Sequence, residues 1–124
     1  MAGTLTVSTL SDGTNSGSAT DAIKGSARAW VNFNGTNTVS IRGSYNVSSI
    51  TDNSTGKYTI NFSSAQPDIN FSAQISAGIL NWGGDVNQTL RIENATTSSI
   101  RMGVAYNTGS VRYDPDFICV AVFR

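Results

Sequence analysis

The chain has no histidine and only one cysteine, and charged residues make up 13% of its 124 positions. Without histidine it lacks the commonest general base and the usual zinc ligand, so nucleophile–base pairs and ordinary zinc sites are not expected. The lone Cys119 cannot form an intramolecular disulfide, and its apolar neighbours predict a small buried hydrophobe. This cysteine usage fits folding in a reducing cytoplasm.

Charge is scarce and also balanced, since eight basic and eight acidic residues give a formal net charge of zero. No long-range field steers such a chain to nucleic acid or to an anionic membrane, so neither is an expected partner. No hydrophobic run is long enough to cross a bilayer, and residues 1–10 lack the features of a secretory signal. Near-zero net charge favours association and suits a protein packed against neighbours in an assembly.

What the chain does have is short alternating segments separated by turn residues. Residues 30–62 predict four strands, with a tight hairpin turn at Asn34-Gly35, a break at Gly43 and a turn at residues 52–56. Residues 117–123 are apolar on both faces, which predicts a strand at the centre of a sheet or against another subunit. The pattern indicates an all-β fold, a single antiparallel β-sandwich or jelly roll of about eight or nine short strands. The later strands are expected at residues 69–77, 90–92, 100–106, 111–113 and 117–123.

Residues 1–29 are predicted to be an N-terminal arm, and residues 30–124 the sandwich domain. Leu5 and Val7 alternate with polar residues and predict one short strand. Residues 11–20 have little to bury and predict a flexible linker, and residues 21–24 predict a single helical turn or an extended contact. The arm is either a loose leader or a segment that adds its strand to a neighbouring subunit or to a larger surface. The expected contact residues of the arm are Leu5, Val7, Leu10 and Ile23.

Catalytic and metal sites are not expected from the acidic residues. Most of them lie in turn motifs, where Asp has a local backbone role, and Asp114 and Asp116 are the one close pair. The proline between those two favours an extended path and the end of a strand. Residues 52–56 have some oxygen ligands of a calcium loop but lack its downstream bidentate glutamate, so a hairpin turn explains them better. The carboxylates considered for glycoside cleavage are Asp52, Asp68, Asp85, Glu93, Asp114 and Asp116.

Trp82 differs from the other aromatic residues because Asn81 and two glycines beside it predict a loop. An exposed tryptophan with neighbouring amides can stack on a sugar ring. Tyr106 and Tyr113 flank the turn at residues 107–110 and could extend such a surface. The alternative interpretation is that Trp82 covers the end of the sandwich.

Part of the chain resembles a module of tailed-phage virion proteins, chiefly from phages of cyanobacteria and other marine bacteria. The resemblance is carried by AWVNFNG (residues 29–35), VSIR (39–42), YNVSSITDN (45–53) and GKYTINF (56–62), followed by Pro67-Asp68. Such modules occur in small accessory structural proteins and at the ends of tail-fibre-like proteins. The resemblance implies a structural or attachment role, and it supplies no catalytic residues.

The expected function is therefore that of a non-enzymatic virion protein without cofactor or metal. A single small domain, a polar arm and low charge favour a capsid decoration, or cement, protein. It would be made in the host cytoplasm and would bind the major capsid protein on the capsid surface, as a homotrimer. The alternative is a tail-fibre or receptor-binding component that recognises a host surface glycan. The expected oligomer contacts are Phe117, Ile118, Val120, Val122 and Phe123.

Overall fold

The computed structural model describes residues 2–80, 87–106 and 111–124. These residues form eleven strands and one short helix, and every strand pair is antiparallel. The prediction of an all-β antiparallel sandwich is confirmed, with more strands than expected because the arm contributes two of them. The elements are β1 (Thr9–Ser11), β2 (Ser16–Ser18), α1 (Ala19–Gly25), β3 (Ala27–Asn34), β4 (Ser40–Tyr45), β5 (Val47–Ser54), β6 (Lys57–Phe62), β7 (Ser72–Gly78), β8 (Gln88–Ala95), β9 (Ser99–Tyr106), β10 (Val111–Arg112) and β11 (Phe117–Phe123).

The arm is more ordered than its sequence predicts. Its strand lies at β1 and not at Leu5 and Val7, and the segment expected to be a linker completes a hairpin with β2 and begins α1. The Asp12 carboxylate accepts hydrogen bonds from the backbone N–H groups of Thr14 and Asn15 in the turn. Ser18 caps α1 by accepting from the first-turn N–H groups. These polar contacts order a segment that has almost no apolar residues to bury.

Two sheets form the sandwich. One sheet has four strands in the order β4-β3-β11-β7, and the other contains β10-β9-β6-β5 with β8 also paired to β9. The inner faces meet in a core whose largest buried side chains include Tyr58, Phe33, Ile60, Ile100 and Met102. β11 lies between β3 and β7, so the prediction of a central strand is confirmed. β3 begins at Ala27, before the predicted domain boundary at residue 30, and Ala29 already belongs to the core.

Two turns differ from those predicted. The connection from β3 to β4 covers residues 35–39, and its positive φ angle falls at Asn37 and not at Asn34-Gly35. The break before β5 is at Asn46, with φ of 54°, and not at Gly43. The Asn46 amide donates to the carbonyls of Arg28 and Ser64 and accepts from the Ser64 N–H. These long-range bonds hold the residue at which the chain passes from one sheet to the other.

Tyr58 links three separate segments from within the core. Its hydroxyl donates to the Asp114 carboxylate at 2.7 Å and lies 3.2 Å from the Gly35 carbonyl oxygen. The same Asp114 oxygen accepts from the Gly56 N–H at 2.7 Å. Burial, followed by the bond to Asp114, raises the pKa of Tyr58. Asp114 was predicted to mark the end of a strand. Its carboxylate also joins the β5–β6 turn to the segment before β11.

Candidate interaction surfaces

The outer side of the four-stranded sheet, called the open face below, combines aromatic, small and amide side chains. Because side chains alternate along a strand, the residues that flank the buried positions of β3 and β11 point outward. The register places Tyr45, Trp30, Ala121 and Gln74 in one row across the sheet. The next row contains Asn32, Cys119 and Ser76.

The aromatic residues on the open face are only partly covered by the protein. Trp30 is 42% exposed and Tyr45 is 59% exposed. The indole of Trp30 lies over Gly43, where a Cβ would approach it to 3.5 Å. The guanidinium of Arg42 lies 5.5 Å from the centre of the Phe117 ring, in a cation–π arrangement. An apolar surface of this kind is available for contact with another molecule.

The candidate oligomer residues of β11 divide between the two sides of the sheet. Phe117 and Phe123 are half-buried on the open face. Ile118, Val120 and Val122 are 0%, 3% and 1% exposed, respectively, and belong to the core between the sheets. The prediction that these three contact another subunit is therefore wrong. An apolar strand that is central in a two-layer protein uses one face for its own core, which the sequence alone could not distinguish from an interface.

The candidate contact residues of the arm all lie at the surface. Leu5 is 80% exposed, Val7 41%, Leu10 46% and Ile23 58%. Leu10 belongs to the β1–β2 hairpin and Ile23 to α1, whereas Leu5 and Val7 lie in the segment before the hairpin. The described part of the protein leaves these apolar side chains uncovered, and their role in binding stays a prediction.

The predicted glycan surface is not assembled as expected. Asn81 and Trp82 lie outside the described residues. Tyr106 and Tyr113 stack on each other with ring centres 3.9 Å apart and an angle of 13° between the planes. Tyr113 is only 9% exposed, so the prediction that it contacts a sugar is wrong. Its hydroxyl is buried without a hydrogen-bond partner in the described residues, and burial raises its pKa.

The acidic residues have structural partners. Glu93 pairs with Arg112 at 2.7 Å and lies 3.8 Å from Arg101, while Asp116 accepts from the Leu80 N–H. Asp68 pairs with Arg124, and this bond together with the Asn70 N–H lowers the pKa of Asp68 to about 2. Asp52 is exposed on β5, and Asp85 lies outside the described residues. Within the described ranges no group of three or more Asp, Glu, Cys or His residues could hold a metal ion.

Polar groups cover the outer side of the second sheet and bond to each other. The Asn61 amide donates to the hydroxyls of Ser49 and Thr51 at 3.0 Å, and Thr59 donates to Asn53 at 2.7 Å. Polar groups of the open face also bond to each other, since the Asn32 amide donates to Cys119 Sγ and accepts from Arg42. The open face carries the exposed Trp30 and Tyr45, so it is the better candidate for contact.

Trp30 and Tyr45 are strand aromatics, for which the sequence alone predicts a place in the core or in a subunit interface. The alternate positions Ala29, Val31 and Phe33 of β3 are buried. Trp30 lies between two of them, so its side chain points to the opposite face, at the surface. Tyr45 could not be assigned in that way, because it follows a register shift in the pairing of β3 with β4.

Comparison with known proteins identifies no relative of this chain. No family model, no curated protein and no solved structure matches it. Among the described residues, no helix is long and apolar enough to span a membrane. The site geometry and the resemblance of residues 29–68 are therefore the basis for a functional proposal.

Proposed function

We propose that this chain is a non-enzymatic structural protein of a tailed-phage virion, and specifically a capsid decoration protein that binds the capsid lattice as an oligomer. The observation that carries the proposal is the set of exposed apolar side chains of the arm, which lies beside a sandwich with a buried core of its own. Exposed apolar side chains can mark interaction sites. Those of the arm are available to a partner, because the core of the sandwich does not use them.

Two further observations support this function. Residues 29–68 resemble a module found in accessory proteins of tailed phages. Most of the described carboxylates accept hydrogen bonds from backbone N–H groups or pair with arginines of their own chain. The exceptions are Asp21 and the exposed Asp52. A carboxylate held in this way stabilises the fold and is poorly placed to act as a general acid or base, which favours a binding role over a hydrolytic one.

The proposed mechanism is stiffening of the contacts between capsomers. Each buried Leu, Val or Ile side chain contributes about 1.5–3 kcal/mol to association before the entropic costs of binding. Because the chain has a net charge of zero, we expect this binding to depend little on salt. Many copies, arranged as trimers in this proposal, would each add such contacts to the lattice.

We predict that purified virions contain this chain at a copy number of the same order as the major capsid protein. The measurement is quantitative mass spectrometry with isotope-labelled peptides from both proteins. A few copies per particle would move the protein to the tail and contradict the decoration role. Absence from particles would contradict a virion role altogether.

A second candidate function, recognition of a host surface glycan by a tail component, is favoured by one observation. The half-exposed Trp30 and the exposed Tyr45 share the open face with the side-chain amides of Asn32 and Gln74. Aromatic rings next to amides provide both the apolar surface and the hydrogen bonds that a sugar needs.

In this second case we predict that Trp30→Ala abolishes glycan binding without unfolding the protein, since the indole is at the surface. The measurement is a glycan array with the wild-type chain, followed by titration of any hit with the variant. Val111→Ala, which also shortens an exposed apolar side chain but on the other sheet, is the matched control. An array without hits, or equal loss in both variants, would count against glycan recognition.

A further inference from the structure

One free strand edge of the sandwich lacks the features that usually prevent pairing with another chain. Natural proteins protect edges with charged residues, bulges or proline. Among the described residues, β4 carries Arg42 and a register shift in its pairing, and β8 carries Arg91, Glu93 and a register shift. β5 has two register shifts in its pairing with β6.

β7 has none of these protections. Its seven residues, SAQISAG, pair with β11 in an unbroken register from Ser72 to Gly78. They include no charged residue and no proline. Its second edge pairs with no strand in the described part of the chain. A regular, uncharged edge of this length is a template for one further strand.

The core is also incompletely covered beside this edge. Ile75 points between the sheets but is only half-buried, and β7 lies close to β8 of the other sheet. On β8, Ile92 pairs with the fully buried Met102, yet Ile92 itself is 45% exposed. The described residues therefore leave the core only partly covered between β7 and β8.

A strand that fits this edge exists in the same sequence. Residues 4–8 read TLTVS, so Leu5 and Val7 alternate with polar residues in the period of a half-buried strand. This segment precedes β1 and pairs with no strand of the described chain, and Leu5 is 80% exposed. β7 has the same alternation, with Ala73, Ile75 and Ala77 facing inward and Ser72, Gln74 and Ser76 facing outward.

We propose that residues 4–8 of one copy add as a strand to the β7 edge of a second copy. Leu5 and Val7 enter between the sheets and cover Ile75 and Ile92. The polar residues of the added strand extend the open face beside Gln74. The donor strand, residues 4–8, and the acceptor edge, β7, are different surfaces of the chain. Each copy has one donor and one acceptor, so every donor is paired with an acceptor when the copies close into a ring. The proposal rests on the proposed function only in saying how the decoration oligomer forms, because the exchange of strands between copies needs no virion. Leu5 and Val7 then hold the oligomer together, which leaves Leu10 and Ile23 as the exposed arm residues for the capsid.

The test uses the purified full-length chain and two arm variants. Sedimentation velocity over a range of concentrations measures self-association. In the double variant Leu5→Ser and Val7→Ser we expect association to weaken about 100-fold or more, because two apolar side chains no longer leave water. The matched control, Thr4→Ser and Thr6→Ser, keeps the inward residues and is expected to associate like the wild type. The substitutions lie in an exposed segment, so the sandwich domain is not perturbed.

Amide hydrogen exchange identifies the acceptor edge in the same samples. We expect the β7 amides that point away from β11 to be protected in the wild type and to exchange fast in the Leu5→Ser, Val7→Ser variant, with the β5 edge unchanged. A monomeric wild type would overturn the proposal, as would association that the double variant leaves intact. Weakened association with unchanged β7 protection would also overturn it, because the arm would then dock elsewhere. None of these results depends on whether the protein is found in virions.

Discussion

Replacing Gly56 by alanine is expected to lower the free energy of unfolding by about 3 kcal/mol or more, which corresponds to a fall in Tm of roughly 10 °C or more. Gly56 has φ of +64°, a region that costs an alanine about 1–2 kcal/mol. An added Cβ would overlap the Val104 carbonyl oxygen and would lie 2.8 Å from that of Tyr113. Both atoms belong to the backbone, so no side-chain movement relieves the contact.

The measurement is thermal unfolding followed by circular dichroism, together with urea denaturation. Gly78→Ala is the matched control, because Gly78 has no positive φ and an added Cβ there would meet no atom of the described residues within 4 Å. We expect Gly78→Ala to change Tm by no more than a few degrees. If the two variants unfolded at the same temperature, the close approach of the β5–β6 turn to β9 and to the segment before β11 would be incorrect.

The second large effect is a loss of stability at alkaline pH that depends on Tyr58. The phenol is 0% exposed and bonded to Asp114, so its pKa in the folded state is above the ordinary value of 10. Above about pH 10 the unfolded chain loses this proton while the folded protein keeps it. Stability is therefore fully present below about pH 10 and falls by about 1.4 kcal/mol for each further pH unit.

Tyr58→Phe removes this dependence and also the hydrogen bond to a charged group, which costs about 1.5–3 kcal/mol at neutral pH. The measurement is urea denaturation at several pH values from neutral to about pH 11, well above the ordinary tyrosine pKa. We expect the wild type to lose more stability than Tyr58→Phe over the alkaline part of this range. Tyr45→Phe is the control, since Tyr45 is exposed and should leave the alkaline loss unchanged. Equal alkaline losses in the wild type and Tyr58→Phe would contradict the prediction; the raised pKa of Tyr113 contributes equally to both.

Many residues of the candidate surfaces could be predicted from the sequence, but how the fold brings them together could not. Leu5, Val7, Leu10 and Ile23 were identified in a polar arm and do lie at the surface. The division of β11 into a core side and an open side required the positions of its two neighbours. The stacking of Tyr113 on Tyr106 likewise depends on how β10 pairs with β9, which no local pattern indicates.

By itself the sequence determined most strands of the sandwich. β6 illustrates this, because Tyr58, Ile60 and Phe62 alternate with polar residues, and a period of two fits only a strand with one buried face. Turn residues with strong backbone preferences likewise placed the β5–β6 hairpin where the structure has it.

The tertiary structure alone decided which strands share a sheet and which edge stays free. Asn46 separates β4 from β5 through bonds to Arg28 and Ser64, and Asp114 joins the β5–β6 turn to the segment before β11. Each of these bonds spans a sequence separation far beyond any local pattern. The unprotected edge of β7 has the same origin: alternation specifies that a strand exists and which face is buried, but its neighbours are set by packing and polar contacts between distant residues.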